Sequence, residues 1–562
     1  MNILLLVSAF NGLTQRAWCR LRERGHTVSV ELASTHEDPD TLTAMVQGAA
    51  PDLILCPFLK HRVPADVWQK WPTVIIHPGP IGDRGPSSLD YAIMDRESQW
   101  GVTALSAVEE MDAGPVWAWR LFPMPSEPAA KAALYNGAVA DAAIECIDEV
   151  VAKAADPKFR PQPQEELPRP VAGATTRPFM KRDQRQFSWT QPAAEIVRRI
   201  RAADSAPGVR CDIEGQTVHV FDAAVGQART HRFRPGTIVG RGGDAIAVAT
   251  GTETVWIGQV KRPRDLGGDG IKLPATAVFD DASLPELAVP SRLRETTYTR
   301  EGDVGVLTMR LYNGAMSTAQ CRRVKSALDE ALAQDTRVLV LRGSDEYFSN
   351  GIHLNVIDAA DDPAAEAWAN INAINDICTA LVSCTDQLTI GAFTASAGAG
   401  GVMLGLACDV VVAREGIVLN PYYDMGLYGS ELHTYTLPRR VGAGTAARLL
   451  HDKLPIDAAE AARIGVADAM GPRDARTFST WLGDLAQSYA DPRWHAETLE
   501  TKVRTLRKTH PPEYFAAAEL AEMAKDFFDD RDGFSAERAA FVGKHPPVET
   551  PAKLAPHRWS FA

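Results

Sequence analysis

The sequence predicts a mixed α/β protein with four parts: a doubly wound parallel sheet, a small β-barrel, a second α/β domain and a helical tail. Short continuous apolar runs alternate with helical stretches at the N-terminus, give way to Val- and Thr-rich strands from residue 187, and alternate again from residue 305. Proline-bearing polar stretches separate the parts near residues 160 and 287. The predicted domains are therefore residues 1–160, 176–285, 294–474 and 475–562.

The first domain begins with a buried strand over Ile3–Val7. A helical stretch over Thr14–Arg24 follows, and Gly25 ends it before a second strand at Thr27–Leu32. Two more short apolar runs, Leu53–Cys56 and Thr73–Ile76, continue the scheme. Because these strands are continuously apolar rather than alternating, we expect a parallel sheet covered on both faces.

The next two parts differ in their dominant element. One helix over Ala193–Ala202 precedes short strands broken by Gly and Pro, which is typical of a small β-barrel. Strands at Gly305–Met309 and Val338–Leu341 then flank a helix over Ala319–Ala333, and residues 475–541 have a helical pattern with a charged surface.

Composition excludes several classes of protein. The net charge of -12 argues against broad binding to phosphate backbones, which requires a basic face. The eight cysteines are scattered and form no close pairs of the kind a zinc or redox site needs. The first apolar run has no basic leader and is much shorter than a membrane span. These observations predict a cytoplasmic protein with reduced thiols and no metal, nucleic-acid or membrane site.

A histidine and an aspartate mark a candidate site in the first domain. His77 stands at the carboxyl end of a buried strand, where open α/β sheets bind ligands. Asp112 follows the strand Gly101–Leu105 at a turn, and the two side chains can share proton transfer. From spacing alone it is equally open that His77 caps a strand end and that Asp112 forms an Asx-turn.

Residues 70–120 resemble the formyltetrahydrofolate-dependent formyltransferase and hydrolase family. The resemblance depends on the His77-Pro78-Gly79 segment, the Arg84-Gly85-Pro86 turn and the later Asp112-Ala113-Gly114. Residues 187–208, including Phe187-Ser188-Trp189, similarly resemble the C-terminal domain of methionyl-tRNA formyltransferases. The resemblance implies that His77 and Asp112 are catalytic. It also implies that 10-formyltetrahydrofolate binds against them and against the loop that carries Arg84, Gly85 and Ser87.

One position departs from the formyltransferase pattern. Ile75 stands where the family has a catalytic asparagine, and its side chain cannot donate a hydrogen bond to an oxyanion. Either the acceptor is an unusually good nucleophile, such as a thiolate, or another donor substitutes. Gln15 and Arg16 open the first helix and could meet an anionic ligand there, although an ordinary surface role fits them equally well.

Two glycine-bearing turns mark a second candidate site. Residues 348–353 and 395–402 each follow a predicted strand, and backbone N–H groups at such turns can hold a ligand oxygen. Together with residues 454–465, they resemble the enoyl-CoA hydratase/isomerase (crotonase) family across residues 300–470. The resemblance implies that coenzyme A thioesters bind here, with their carbonyl polarised by the N–H groups of Ile352 and Gly400.

The crotonase-like part lacks the two hydratase glutamates. Met403 and Tyr422 occupy their positions, so water addition to an enoyl-CoA is not the reaction we expect. Candidate replacements are Tyr422 as a proton donor and Glu431 as a base. Tyr422 can also be an aromatic core residue, like Tyr423 or Tyr428.

The order of the two halves resembles the HypX/HoxX hydrogenase maturation proteins over essentially the full chain. That resemblance implies formyl transfer from 10-formyltetrahydrofolate to coenzyme A, followed by decarbonylation of formyl-CoA to CO for the iron of [NiFe]-hydrogenase. It implies as protein partners the hydrogenase large subunit or the proteins that assemble its iron ligands. Two alternatives stay open: an enzyme that makes formate or formyl-CoA without CO, and a non-catalytic assembly protein that binds CoA. Transfer to tRNA is disfavoured by the net charge.

Overall fold

The computed structural model describes residues 1–33, 38–127, 129–227, 232–547 and 549–559. The chain divides into two compact units, one of residues 1–293 together with the C-terminal residues from 546, and one of residues 294–545. No helix within these described stretches is long and apolar enough to cross a membrane.

The first unit opens with a six-stranded sheet in the order β2-β1-β3-β4-β5-β6. Strands β1 to β4 are parallel, as predicted, because each is buried and joined to the next through a helix. Strands β5 and β6 run antiparallel to their neighbours, which the sequence pattern did not predict, since they form a hairpin after β4. The strands are β1 (Asn2–Val7), β2 (Thr27–Leu32), β3 (Leu53–Cys56), β4 (Thr73–His77), β5 (Gln99–Ser106) and β6 (Val116–Pro123).

Helices connect these strands and follow the last of them. The predicted first helix is confirmed as α1, and Asn11 caps its start by accepting from the Thr14 N–H at 3.0 Å. The helices are α1 (Gly12–Glu23), α2 (Pro39–Ala49), α3 (Ala65–Trp68), α4 (Ser88–Met94), α5 (Lys131–Leu134) and α6 (Ala140–Ala154).

A small antiparallel β domain completes the main part of the first unit. Its strands lie in the order β7-β8-β11-β10-β9, with β12 paired to β11, and the helix predicted at Ala193–Ala202 has those bounds. Its elements are α7 (Arg182–Arg185), α8 (Ala193–Ala202), β7 (Val209–Ile213), β8 (Gln216–Val225), β9 (Ile238–Gly242), β10 (Ala245–Ala249), β11 (Thr254–Lys261), β12 (Lys272–Pro274) and α9 (Ala275–Val278).

The second unit is built on another six-stranded sheet, in the order β13-β14-β16-β18-β20-β23. All neighbours in it are parallel except β13 and β14. Two small sheets, β15-β17 and β19-β21-β22, carry the glycine-bearing turns. The strands are β13 (Thr296–Glu301), β14 (Val304–Met309), β15 (Ala315–Met316), β16 (Val338–Arg342), β17 (Gly351–Ile352), β18 (Leu388–Phe393), β19 (Ala397–Gly398), β20 (Val410–Arg414), β21 (Val418–Asn420), β22 (Ile456–Asp457) and β23 (Ala469–Gly471).

Helices cover this sheet and continue into the predicted helical tail. Its helices up to α16 are α10 (Thr318–Leu332), α11 (Leu354–Asp358), α12 (Pro363–Ser383), α13 (Gly400–Leu406), α14 (His433–Val441), α15 (Ala443–Asp452) and α16 (Ala458–Ile464). The tail helices are α17 (Ala475–Tyr489), α18 (Pro492–Lys508), α19 (Pro512–Phe528) and α20 (Phe534–Gly543). Helix α19 packs on α12 and α14, so the tail is part of the core of the second unit.

Candidate active sites of the two units

In the first unit, His77 lies between two carboxylates. It is the last residue of β4 and its side chain is buried. Its Nε2 atom is 2.8 Å from Asp83 Oδ2, and its Nδ1 atom is 3.5 Å from Asp112 Oδ2. The structure thus brings together the predicted pair, His77 and Asp112, and adds Asp83, which the sequence had not singled out.

The charges around His77 favour its protonated form. Burial by itself lowers the pKa of an imidazole, but the hydrogen bond to Asp83 and the charges of Asp112 and Asp83 outweigh it, so the pKa of His77 is raised. Such a histidine can give a proton to a leaving group or stabilise a developing negative charge.

The turns on either side of His77 are held by contacts distant in sequence. A side chain at Gly79 would begin 2.2 Å from Asp83 Oδ2 and 2.5 Å from His77 Nε2, so only glycine leaves space for the pair. Asp112 has a left-handed backbone (φ 55°), and its Oδ2 accepts from the Gly85 N–H at 3.0 Å. Gln164 donates to the Asp112 carbonyl at 2.8 Å. The Asp112 carboxylate therefore bonds across the chain, to the turn predicted to bind folate.

The other residues predicted to bind folate lie on β4 and on the loop that follows it. Ile75 is on β4 two residues before His77, and alternation along a strand places both on one face of the sheet. Gly85 belongs to the turn beside Asp112 and has φ 116°, with Arg177 O only 2.1 Å from where its Cβ would be. Arg84 forms an ion pair with Glu110 at 2.9 Å, and Ser87 Oγ accepts from the Met180 N–H at 3.0 Å.

Gln15 and Arg16 both have partners within the first unit. Gln15 donates to the Phe10 carbonyl at 3.1 Å, next to the cap of α1. Arg16 forms an ion pair with Asp141 on α6 and also donates to the Asn136 carbonyl. These contacts give Arg16 a role in joining α1 to α6.

In the second unit, the two glycine-bearing turns approach each other closely. A Cβ on Gly351, which has φ 78°, would lie 3.5 Å from the amide nitrogen of Gly400. A Cβ on Gly401 would lie 2.0 Å from Ser349 O, so the first turn of α13 is pressed against the loop that leads into β17 and Ile352. The amides of Ile352 and Gly400, predicted as an oxyanion hole, therefore belong to adjoining turns.

The carboxylate of Glu431 lies directly against Gly400. A Cβ on Gly400 would be 2.0 Å from Glu431 Oε1 and 2.9 Å from Oε2. Glu431 is buried, accepts from the Tyr423 hydroxyl at 2.7 Å and accepts from the Ser430 N–H at 3.2 Å. Burial raises the pKa of Glu431 to about 7, with Glu519 adding to the rise and the Tyr423 hydrogen bond opposing it. A carboxyl group poised near neutrality can both take and return a proton.

Glu431 and its neighbour Leu432 occupy a strained turn. Both have left-handed backbones, with φ of 58° and 59°, a conformation that costs non-glycine residues on the order of 1–2 kcal/mol each. Asn375 Oδ1 accepts from the Glu431 N–H at 2.9 Å and so stabilises the first of the two. Strain of this kind persists where surrounding contacts fix a functional side chain.

The tyrosine that donates to Glu431 is Tyr423, which the sequence analysis took for an aromatic core residue. Tyr422, the predicted proton donor, is half-buried and donates to Asn420 Oδ1 at 3.2 Å. His353 caps α11 by accepting from the Val356 N–H, and burial lowers its pKa to about 4. Met403 is fully buried in α13.

Comparisons with known proteins agree with this division. The enoyl-CoA hydratase/isomerase family model matches residues 301–548, and the formyl transferase, C-terminal domain model matches residues 180–265. A methionyl-tRNA formyltransferase of Roseiflexus sp. is 31% identical over 39% of this chain and 62% of its own length. The fold and sites thus define a formyltransferase-type unit joined to a crotonase-type unit.

Two relatives that match over nearly the full length identify the family more specifically. The hydrogenase maturation factor HoxX of Bradyrhizobium diazoefficiens is 39% identical over 99% of this chain and 97% of its own length. The crystal structure of HypX from Aquifex aeolicus in complex with tetrahydrofolic acid has 37% identity, a TM-score of 0.93 and 99% coverage of both chains. The chain belongs to the HypX/HoxX family of hydrogenase maturation factors, as the resemblance of its sequence predicted.

Proposed function

We propose that this chain makes carbon monoxide in two reactions: formyl transfer from 10-formyltetrahydrofolate to coenzyme A, and decarbonylation of the resulting formyl-CoA. The observation that carries the proposal is the buried Glu431 carboxyl, which lies on Gly400 of the oxyanion-hole turn and has its pKa raised to about 7. Folate and CoA are substrates in this scheme. The HypX structure with tetrahydrofolic acid supports the first of them.

In the first unit, His77 is the acid of the transfer reaction. The thiol sulfur of CoA forms a bond to the formyl carbon and the bond from that carbon to N10 of the folate breaks. His77 supplies the proton that N10 gains, and the proton of the thiol replaces it. Asp83 and Asp112 stabilise the imidazolium form that this role requires. A thiol acceptor is consistent with Ile75, because a better nucleophile relies less on an amide donor at that position.

In the second unit, Glu431 is the base of the decarbonylation. The amides of Ile352 and Gly400 hold the thioester oxygen, and the ionised Glu431 removes the formyl proton. The electron pair of the C–H bond stays on carbon, the pair of the C–S bond leaves with sulfur, and carbon monoxide is released. Glu431 then returns the proton to the CoA thiolate, so the reaction consumes no oxidant or reductant.

The absence of both hydratase glutamates supports this assignment over hydration. Met403 is buried and apolar, and Tyr422 carries no carboxylate, so the crotonase-type pair that adds water is missing. A single carboxyl group suffices to move one proton from carbon to sulfur. We also propose a cytoplasmic location and delivery of CO to the hydrogenase large subunit or its iron-ligand assembly proteins, in keeping with the name of the HoxX relative.

The test uses the purified full chain with CoA and 10-formyltetrahydrofolate labelled with ¹³C in the formyl group. We expect labelled CO, detected by a haem reporter, in amounts equal to the tetrahydrofolate formed. Tetrahydrofolate with labelled formate and no CO would instead support the hydrolase alternative. No turnover at all, together with tight binding of CoA, would support the non-catalytic assembly protein.

A further inference from the structure

Glu519 is a second buried carboxylate beside the turn that carries Glu431. It lies on α19, in the helical tail, and its side chain has no exposed surface. Its Oε2 atom accepts from the Leu432 N–H at 3.0 Å and from Ser430 Oγ at 3.2 Å. Its Oε1 atom accepts from the Thr434 N–H at 2.8 Å.

These bonds hold the same turn that Asn375 holds. Leu432 and Thr434 belong to the first turn of α14, where backbone N–H groups lack partners within the helix. Glu519 takes the place of a local cap, because the N-cap residue, Leu432, has no polar side chain. Asn375 holds the Glu431 N–H, so each of the two left-handed residues is bound by a buried acceptor from a different helix.

Ser430 links the two carboxylates. Its hydroxyl is within hydrogen-bonding distance of both Glu519 and Asn375, and its N–H donates to Glu431. Through this hydrogen-bond network, the position of Glu519 affects the position of Glu431, and the charge of Glu519 acts on Glu431 at short range.

The remaining titratable groups around Glu431 are neutral at physiological pH. Burial lowers the pKa of His433 and raises the pKa of Tyr423. It also raises the pKa of the Cys378 and Cys321 thiols. Two titratable groups act on Glu431 itself, Tyr423 on the loop before α14 and Glu519 on α19. The thiols of Cys378 on α12 and Cys321 on α10 are near enough for the charge of Glu431 to act on them, and the His433 ring on α14 packs against Tyr423. After burial, the charge of Glu519 is the cause that raises the pKa of Glu431 further.

We propose that Glu519 is a positioning residue for Glu431, which holds the 430–434 turn so that Glu431 faces Gly400. This inference rests on the proposed function for its catalytic consequence. It also explains why the tail helix α19 belongs to the second unit, since the base of the reaction depends on it.

The test compares Glu519→Gln with Asp526→Asn. Asp526 is a matched control because it is on the same helix and is equally buried. It accepts from the N–H of Tyr428, two residues before Ser430, at 2.7 Å. With formyl-CoA as substrate, we expect Glu519→Gln to lower kcat at least tenfold with little change in KM, because small displacements of a catalytic group cost this much. Its pH midpoint should move to lower pH, and Asp526→Asn should leave the midpoint in place.

A spectroscopic measurement makes the inference independent of turnover. The infrared carboxyl band that Glu431→Gln removes reports the protonation of Glu431, and its midpoint can be measured in each variant. We expect the midpoint to fall in Glu519→Gln alone. An unchanged midpoint in Glu519→Gln overturns the inference whether or not CO is made, whereas a wild-type chain that makes no CO contradicts only the proposed function.

A second variant covers a failure of Glu519→Gln to fold. Thr434→Val keeps the side-chain shape but removes the hydroxyl that donates to Glu519 at 2.5 Å. We expect a several-fold lower kcat at unchanged KM. A kcat equal to that of the wild type would show that the orientation of Glu519 does not matter to Glu431.

Discussion

Glu431 Oε1 occupies the space in which a side chain on Gly400 would begin, 2.0 Å from the position of its missing Cβ. The carboxylate of the proposed base thus lies directly against the residue whose amide is proposed for the oxyanion hole. In the proposed reaction, that amide holds the substrate carbonyl and the carboxylate removes the proton from its carbon. The pair therefore acts as one unit, in which neither residue can change size without displacing the other.

Gly400→Ala should strongly lower the rate of CO formation. The added methyl group has to displace Glu431, and a displaced base loses on the order of 10²-fold in rate. The rate of CO release from formyl-CoA checks this. Gly444→Ala is the control, because Gly444 is exposed near the start of α15 and a Cβ there meets nothing within 4 Å. Full activity in Gly400→Ala would contradict the placement of Glu431.

CO release should rise with pH through about 7. Glu431 must be ionised to remove the formyl proton, and burial raises its pKa to about 7, so the active form increases as pH passes that value. Glu431→Gln should lose about 10²-fold or more in kcat, which is the usual contribution of a general base. A rate that is flat between pH 6 and 8 would assign the base role to another residue.

Tyr423 and Tyr422 should differ in their effects. The hydrogen bond from Tyr423 lowers the pKa of Glu431, so Tyr423→Phe should move the pH midpoint of CO release upward. Tyr422→Phe leaves that bond in place and should keep the midpoint where it is. If Tyr422 is the proton donor predicted from the sequence, Tyr422→Phe lowers kcat and leaves the pH midpoint unchanged. Loss of activity in Tyr423→Phe alone would transfer the donor role to Tyr423.

The formyl-transfer reaction should depend on Asp83 as well as Asp112. Asp83→Asn removes a charge that raises the pKa of His77, so less imidazolium is present at neutral pH. We expect tetrahydrofolate formation to fall and its pH profile to move to lower pH, while CO release from added formyl-CoA stays unchanged. NMR titration of His77 measures the shift directly. An unaltered titration would contradict the assignment of Asp83.

The sequence predicted the elements that burial dictates. The continuous apolar runs at Ile3–Val7 and Val338–Leu341 are strands, and the helix at Ala193–Ala202 has the predicted bounds. His77 could be found because it ends a buried strand. Glu431 could be found because the family resemblance placed a catalytic acid near it, although its left-handed backbone has no sequence signal.

The residues that the sequence did not reveal act through contacts distant in the chain. Tyr423 and Tyr422 are adjacent tyrosines, and only the path of the backbone decides which one meets Glu431. Glu519 lies in a helix whose charges resembled a solvated surface, yet its side chain is fully buried. Asp83 reaches His77 because the chain turns between Pro80 and Asp83 and because Gly79 has no side chain to fill the space beside the pair.

The C-terminal residues should stabilise the first unit through Glu31. Glu31 on β2 has no exposed surface and bonds to Thr550, His557 and Arg558, the last at 2.9 Å from Nε. Burial raises its pKa, but these partners outweigh burial and lower it to about 2. Because the pKa of Glu31 is lower in the folded chain than its ordinary value of 4.5, the bonds to its carboxylate stabilise the fold fully at a pH above 4.5. That stabilisation is lost as the pH falls towards 2.

Arg558→Met leaves part of the buried Glu31 charge unpaired, which costs about 3 kcal/mol in comparable cases. We expect faster hydrogen exchange of the β2 amides, a local measure of the stability of this unit. The double variant Glu31→Gln with Arg558→Met removes the charge as well and should recover much of the protection. Arg62→Met is the control, because the ion pair between Arg62 and Glu109 is exposed and such pairs contribute about 0–1 kcal/mol. Equal exchange in the single and double variants would show that the tail binds β2 through its packing and not through the charge of Glu31.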